Sequence, residues 1–110
     1  MADVKTIKIG STSYDIKSEM PVVSASSGSV AMDPNKYYDF GTLSANTTVT
    51  FTAGQAGKVN EYCGCFTAAS TYTFTFPAGI TWADTMTLTA GNTYEFSVIN
   101  SKGIFVEYQA

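Results

Sequence analysis

Threonines alternate with large apolar side chains through the second half of the chain, and that alternation leaves few folds open. From Thr71 to Phe76, Tyr72, Phe74 and Phe76 alternate with Thr71, Thr73 and Thr75. Met86 and Leu88 then alternate with Thr85, Thr87 and Thr89, and Tyr94, Phe96 and Val98 with Thr93, Glu95 and Ser97. Period two over successive runs specifies β-strands with one face buried and one face wet. Pro77-Ala78-Gly79 and Ala90-Gly91-Asn92 interrupt the runs as turns. Trp82 is the only tryptophan. It is expected to be largely buried at the start of a strand or turn.

The rest of the chain reads the same way. Val4 to Ile9 and Tyr14 to Lys17 form an expected β-hairpin around Gly10-Ser11, a two-residue turn of type II′. Ser18 to Asn35 breaks the alternation, and Ser24 to Ser29 has the composition of a connector. Val22, Val23, Val30 and Met32 still allow short edge pairings, so this stretch can also be extended and packed. Asp33-Pro34-Asn35 is a turn signal. A strand follows at Tyr38–Phe40, ended near Gly41, and another at Thr48–Ala53. Gly54 to Gly57 is a loop. In the strand from Val59 to Ala68, Gly64 lies between Tyr62 and Phe66 on one face, a sign of a bulge or a close backbone approach. After a turn at Ser101-Lys102-Gly103 comes a last strand, with Ile104, Val106 and Tyr108 on one face. No segment carries a helical period. The expected fold is all-β: an antiparallel β-sandwich or jelly-roll-like domain over 37–110, preceded by an attachment hairpin (1–17) and a Ser/Gly-rich linker (18–36).

Composition narrows the function. The chain has 110 residues, 45% of them hydrophobic and only 14% charged. Its wet strand faces are therefore built from Thr and Ser. Such a surface suits a β-protein held in an assembly, and equally an ordinary β-domain whose strands favour threonine. The net charge is −3, with neither arginine nor histidine. No basic patch for phosphates can be drawn, which argues against nucleic acid and against an anionic membrane surface. No apolar run is long enough to span a membrane. The N-terminus shows no signal-peptide pattern, so synthesis in the cytosol is expected. Asn46-Thr47-Thr48 matches a glycosylation sequon, a coincidence to be expected of a Thr-rich chain.

Reactive chemistry is sparse. Without histidine, no Ser/His or Cys/His pair can be assembled. Glu61, Glu95 and Glu107 fall on separate strands and read as solvated faces, although a glycosidase would need only two carboxyls about 5 to 9 Å apart. Cys63 and Cys65 share a strand face. They read as two small buried hydrophobes, with a site shared between chains as the minor alternative. No catalytic residue, metal site or cofactor is expected. Tyr37, Tyr62, Trp82 and Tyr108 are the candidate surface or interface aromatics, able to serve as sugar-stacking platforms or as core.

Two stretches resemble a known class of proteins. Lys5 to Lys17 resembles the N-terminal hairpin of virion fibre and tail-associated proteins from gut bacteriophages. The succession Tyr37-Tyr38-Asp39-Phe40-Gly41, Asn60-Glu61-Tyr62, Phe66-Thr67, Phe76-Pro77, Ile80-Thr81-Trp82 and Gly91-Asn92-Thr93-Tyr94-Glu95-Phe96-Ser97 resembles the small β-sandwich that ends phage tail, fibre and capsid-decoration proteins. Together they cover most of the chain. Cys63 and Cys65 are no part of that pattern. Longer relatives have a repeat or shaft between the two parts, where this chain has only Ser18 to Asn35. That length fits a short head fibre or decoration protein better than a tail fibre. The resemblance implies a non-enzymatic structural role in a virion, synthesis in a bacterial host's cytoplasm and display as a homotrimer. Lys5, Ile7, Ile9, Tyr14 and Ile16 would then attach to phage capsid or tail proteins. The alternative is a receptor- or glycan-binding fibre tip or baseplate component, with a host surface glycan as partner.

Overall fold

Short runs of alternating residues become eleven strands, and no helix forms among the described residues. A computed structural model describes residues 6–15 and 20–110. Strands β1 (Thr6–Ile9) and β2 (Thr12–Asp15) form the N-terminal hairpin, with Ile7 opposite Tyr14 and Ile9 opposite Thr12. Gly10 has φ +63 while Ser11 stays negative. That sign pattern belongs to a type II′ turn. Lys5 and Ile16 of the expected attachment segment lie outside the described residues.

The next six strands shuttle between two sheets. Strands β3 (Val22–Ser24), β5 (Lys36–Thr42) and β7 (Glu61–Thr67) lie side by side and parallel in one sheet. Strands β4 (Ser29–Met32), β6 (Thr47–Phe51) and β8 (Phe74–Thr75) lie side by side and parallel in the other. Each crossing between parallel neighbours is thus a strand of the opposite sheet, which replaces the helix of the usual crossover. Strand β9 (Thr81–Trp82) comes next, and the chain ends in the hairpin β10 (Thr93–Ile99) and β11 (Lys102–Tyr108). The larger sheet has the order β3-β5-β7-β10-β11-β9 and the smaller β4-β6-β8. Only β7-β10-β11 is antiparallel within the larger sheet. The expected all-antiparallel arrangement is therefore corrected to mixed sheets.

The core lies where inward side chains of the two sheets meet. Phe66 of β7 stacks on Phe74 of β8, with ring centroids 4.1 Å apart and planes 4° from parallel. Phe40 meets Phe74 edge-on at 5.0 Å. Tyr62 stacks on Phe51 at 4.2 Å. Tyr94, Phe96 and Val98 are buried, and Thr93, Glu95 and Ser97 face outward less covered, as their alternation requires. Burying such side chains contributes roughly 1.5–3 kcal/mol each before the entropy of ordering is subtracted.

Segment 18–36, expected as a linker, supplies both β3 and β4. Met32 at the end of β4 is fully buried. Val22, Val23 and Val30 sit on edge strands, the pairing their apolarity allowed. The segment Thr85–Thr89, expected as a strand, joins no ladder. Its alternation survives, with Met86 and Leu88 packed against the core and the threonines outside. The Tyr94 hydroxyl replaces a ladder there. It accepts the Thr89 N–H at 2.7 Å and lies 3.1 Å from the Thr87 carbonyl. The final turn is Asn100-Ser101, one step earlier than expected. Both residues have positive φ, 52° and 60°, and Ile99 pairs with Lys102. That is a type I′ hairpin.

Candidate functional site: the outer face of the six-stranded sheet

The outward side chains of the larger sheet fall into two rows, set by register. One row runs Val22, Tyr37, Cys63, Ser97, Ile104. The next runs Ser24, Asp39, Cys65, Glu95, Val106. Both rows are polar at the centre and apolar at the β11 end. Ile104, Val106 and Tyr108 are 62%, 52% and 52% exposed, and Val22 at the far edge is 68% exposed. A shallow depression of about 340 Å³ lies among Met20, Tyr37, Cys63, Glu95, Ile104 and Val106.

Glu95 is the centre of this face. The Tyr37 hydroxyl donates to its Oε2 at 2.5 Å, and the Tyr108 hydroxyl lies 3.4 Å from its Oε1. Ser97 donates to Glu61 at 2.6 Å. The Cys65 thiol is 3.6 Å from Asp39 Oδ1, and the Cys63 thiol 3.6 Å from the Lys36 carbonyl. The carboxylates are satisfied by hydroxyls, thiols and backbone. The one salt bridge among the described residues, Lys36–Asp33 at 3.3 Å, lies off this face.

These contacts set the proton affinities. Burial pushes the Cys63 thiol up to about 11, with Glu61 and Glu95 adding to the effect. Burial also raises Cys65, where Tyr37 pulls the other way and Asp39 adds to the rise. Tyr37 is raised by burial first, then by Cys65 and Glu95 beside it. Both thiols are thus neutral at pH 7. A neutral thiol is a poor nucleophile and a poor metal ligand.

The four aromatics singled out in the sequence separate. Tyr37 and Tyr108 come together on Glu95. Tyr62 turns inward, its ring on Phe51 and its hydroxyl donating to the Thr52 carbonyl, so it is no surface platform. Trp82 ends β9, half-buried, 4.8 Å from Phe76 and 6.3 Å from Phe105. Its ring lies over Gly103, where an added Cβ would come within 2.6 Å of the indole. Sequence reasoning missed Glu61, Glu95 and Ser97 as neighbours. Their parity already opposed Tyr62, Tyr94 and Phe96, but parity does not say which strands adjoin. Compared with protein families, with curated proteins and with solved structures, the chain has no match.

Proposed function

We propose that the chain is a non-enzymatic structural component of a bacteriophage virion, a short head fibre or capsid decoration protein displayed as an oligomer. In this reading the two sheets make a sandwich- or jelly-roll-like body, and the N-terminal hairpin attaches it to capsid or tail proteins. The observation that supports it best is the outer sheet face. Its exposed Ile104, Val106 and Tyr108 form an apolar strip along β11, beside Glu95, which is already hydrogen-bonded. An exposed apolar strip beside polar groups that need no further partner is a surface suited to docking. The resemblance of Lys5–Lys17 and of Tyr37–Ser97 to fibre and decoration proteins supports it from the sequence. The test is immunogold labelling of purified particles of a phage that encodes the chain. Label on capsids is expected, and particles without label would end the proposal.

One observation supports the glycan-binding alternative. A groove of about 540 Å³ runs beside Phe76, Trp82 and Asp84. An aromatic wall with a carboxylate is the chemistry of sugar recognition. A glycan array read with the native protein and with Trp82→Phe addresses it. Binding lost in the variant would favour this reading, and an empty array would remove it.

A further inference from the structure

Strands β3 to β8 wind as three turns, β3 with β4, β5 with β6 and β7 with β8, each with one strand in either sheet. The first turn lies at the end of both sheets. Tyr37 N–H donates to Pro21 O and Ala25 N–H to Asp39 O, both at 2.9 Å, so the odd residues of β3 turn to β5. Thr48 N–H donates to Gly28 O and Thr52 N–H to Met32 O, both at 2.9 Å, so the even residues of β4 turn to β6. The N–H and C=O groups of Val22, Ser24, Ser29 and Ala31 therefore point away from the second turn. Among the described residues they have no backbone partner. Open edges are ordinarily blunted by charge, proline, a bulge or extreme shortness. At the far ends of the two sheets, β8 and β9 are two residues long and are closely followed by Pro77 and Asp84. The first turn is less protected. Its strands have three and four residues, and no residue from Met20 to Met32 is charged. Both ladders run in one register, and Pro21 precedes β3 with its carbonyl on the β5 side. The connection from β3 to β4 leaves the edge uncovered. Ser27 Oγ accepts the Ser44 N–H at 3.0 Å and Thr47 Oγ1 the Gly28 N–H at 3.3 Å, which hold it against the second turn.

We propose that the edge formed by β3 and β4 takes the same edge of a second copy of the chain across a two-fold axis, so that both sheets continue into the partner. The form of the edge selects this occupant. It presents two strands in facing sheets, and facing sheets pack about 10 Å apart. A lone extended segment, including either strand of the N-terminal hairpin, could pair with only one of them. A second copy brings two strands at the same spacing, and a single rotation serves both. Whether β3 meets β3 or β4 of the partner, Val22, Ser24, Ser29 and Ala31 come together on the outer faces, with Val23 and Val30 beneath. No charged residue takes part, so no like charges are set opposite one another, the arrangement that destabilises cross-strand pairs. Val22, 68% exposed on the single chain, is covered. The contact is self-complementary, as a two-fold interface must be. It is separate from the proposed virion role. A three-fold contact made elsewhere would combine with it into six chains, so the number of chains is even in either case.

Amide hydrogen exchange of the wild-type protein, read residue by residue by NMR, tests the pairing directly. The N–H groups of Val22, Ser24, Ser29 and Ala31 turn away from β5 and β6, so protection at all of them requires an added strand on each edge. Slow exchange at these four amides is expected, together with an even number of chains by sedimentation at micromolar concentration. Val22→Lys and Ala31→Lys each place a blunting charge at an exposed position of one edge strand. Either should halve the number of chains and release the four amides to fast exchange, with the circular dichroism spectrum unchanged. A wild-type monomer or trimer would overturn the pairing. So would fast exchange at the four amides in an even-numbered assembly, or lysine variants that keep the wild-type number. Slow exchange at Val22 and Ser24 alone would put a single strand, such as one from the chain's own hairpin, on β3 and would overturn it as well.

Discussion

Gly64 shows how tightly single positions are held. It pairs with Tyr38 of the neighbouring parallel strand, and a Cβ built on it would stand 2.2 Å from the Tyr38 carbonyl oxygen. No side-chain rotation relieves a clash with backbone, so β5 and β7 would have to part. Gly64→Ala should destabilise the protein by about 3 kcal/mol, the upper range of overpacking. Urea unfolding measures it, and a loss below about 0.5 kcal/mol would contradict the close approach. Tyr94 is as closely held. Its hydroxyl lies 2.7 Å from Glu107 Oε2, and Asn92 lies 3.0 Å from the same oxygen. Those contacts lower Glu107 and help burial raise Tyr94. Cys63 is pushed from 9.0 to about 11, and Cys65, Tyr37 and Tyr94 shift the same way. The native state thus holds these protons more tightly than the unfolded chain does. The stability that Cys63 contributes is complete below pH 9.0 and is lost as pH rises through about 11. Denaturant midpoints across that window should fall, and Cys63→Ser should make the fall shallower. A flat profile would mean that Cys63 is solvated.

At the scale of elements, the turn between β10 and β11 carries avoidable strain. Asparagine tolerates the left-handed region, but serine does so at a cost of roughly 1 kcal/mol. Ser101, at φ +60, sits where Asn-Gly would be the preferred pair. Ser101→Gly should stabilise the hairpin by about 0.5 kcal/mol after the added freedom of the unfolded chain is subtracted. A thermal midpoint higher by a few degrees is the expected readout, and a lower one would refute the turn assignment. The strap Thr85–Thr89 shows what alternation does and does not encode. Its burial pattern was legible in Met86 and Leu88, because period two follows from extended backbone alone. Its lack of a ladder was not legible. That depends on the Tyr94 hydroxyl taking the place of a neighbouring strand.

At the scale of the whole molecule, β3 and β4 decide where the packed body begins. Met32 is fully buried, although it lies in a stretch whose Ser and Gly content suggests a connector. Met32→Ala should cost about 3 kcal/mol, a typical loss for a buried methionine. A free linker would lose nothing, so chemical denaturation separates the two. The strands at Tyr38–Phe40, Thr48–Phe51 and Tyr94–Val98, the turns at Asp33-Pro34-Asn35, Pro77-Ala78-Gly79 and Ala90-Gly91-Asn92, and the inward set Phe66, Phe74, Tyr94, Phe96 and Val98 were determined by the sequence alone. Each follows from local rules: period two, residues that favour positive φ, and the preference of apolar side chains for burial. The candidate site was legible only as parity, with Tyr37 next to Tyr38, Glu95 between Tyr94 and Phe96, and Tyr108 sharing a face with Ile104 and Val106. Strand direction and adjacency were decided by the tertiary structure. Parallel and antiparallel strands share one side-chain period, and a strand with one wet face reads as antiparallel because most parallel sheets are covered on both sides. Here the chain crosses to the facing sheet between parallel neighbours, through coils of unequal length, so no repeat marks the winding. That winding sets Tyr37 beside Cys63, Cys65 beside Glu95, and an uncovered β11 at the edge. These are relations between residues far apart in the chain, and only packing the two sheets on one core fixes them.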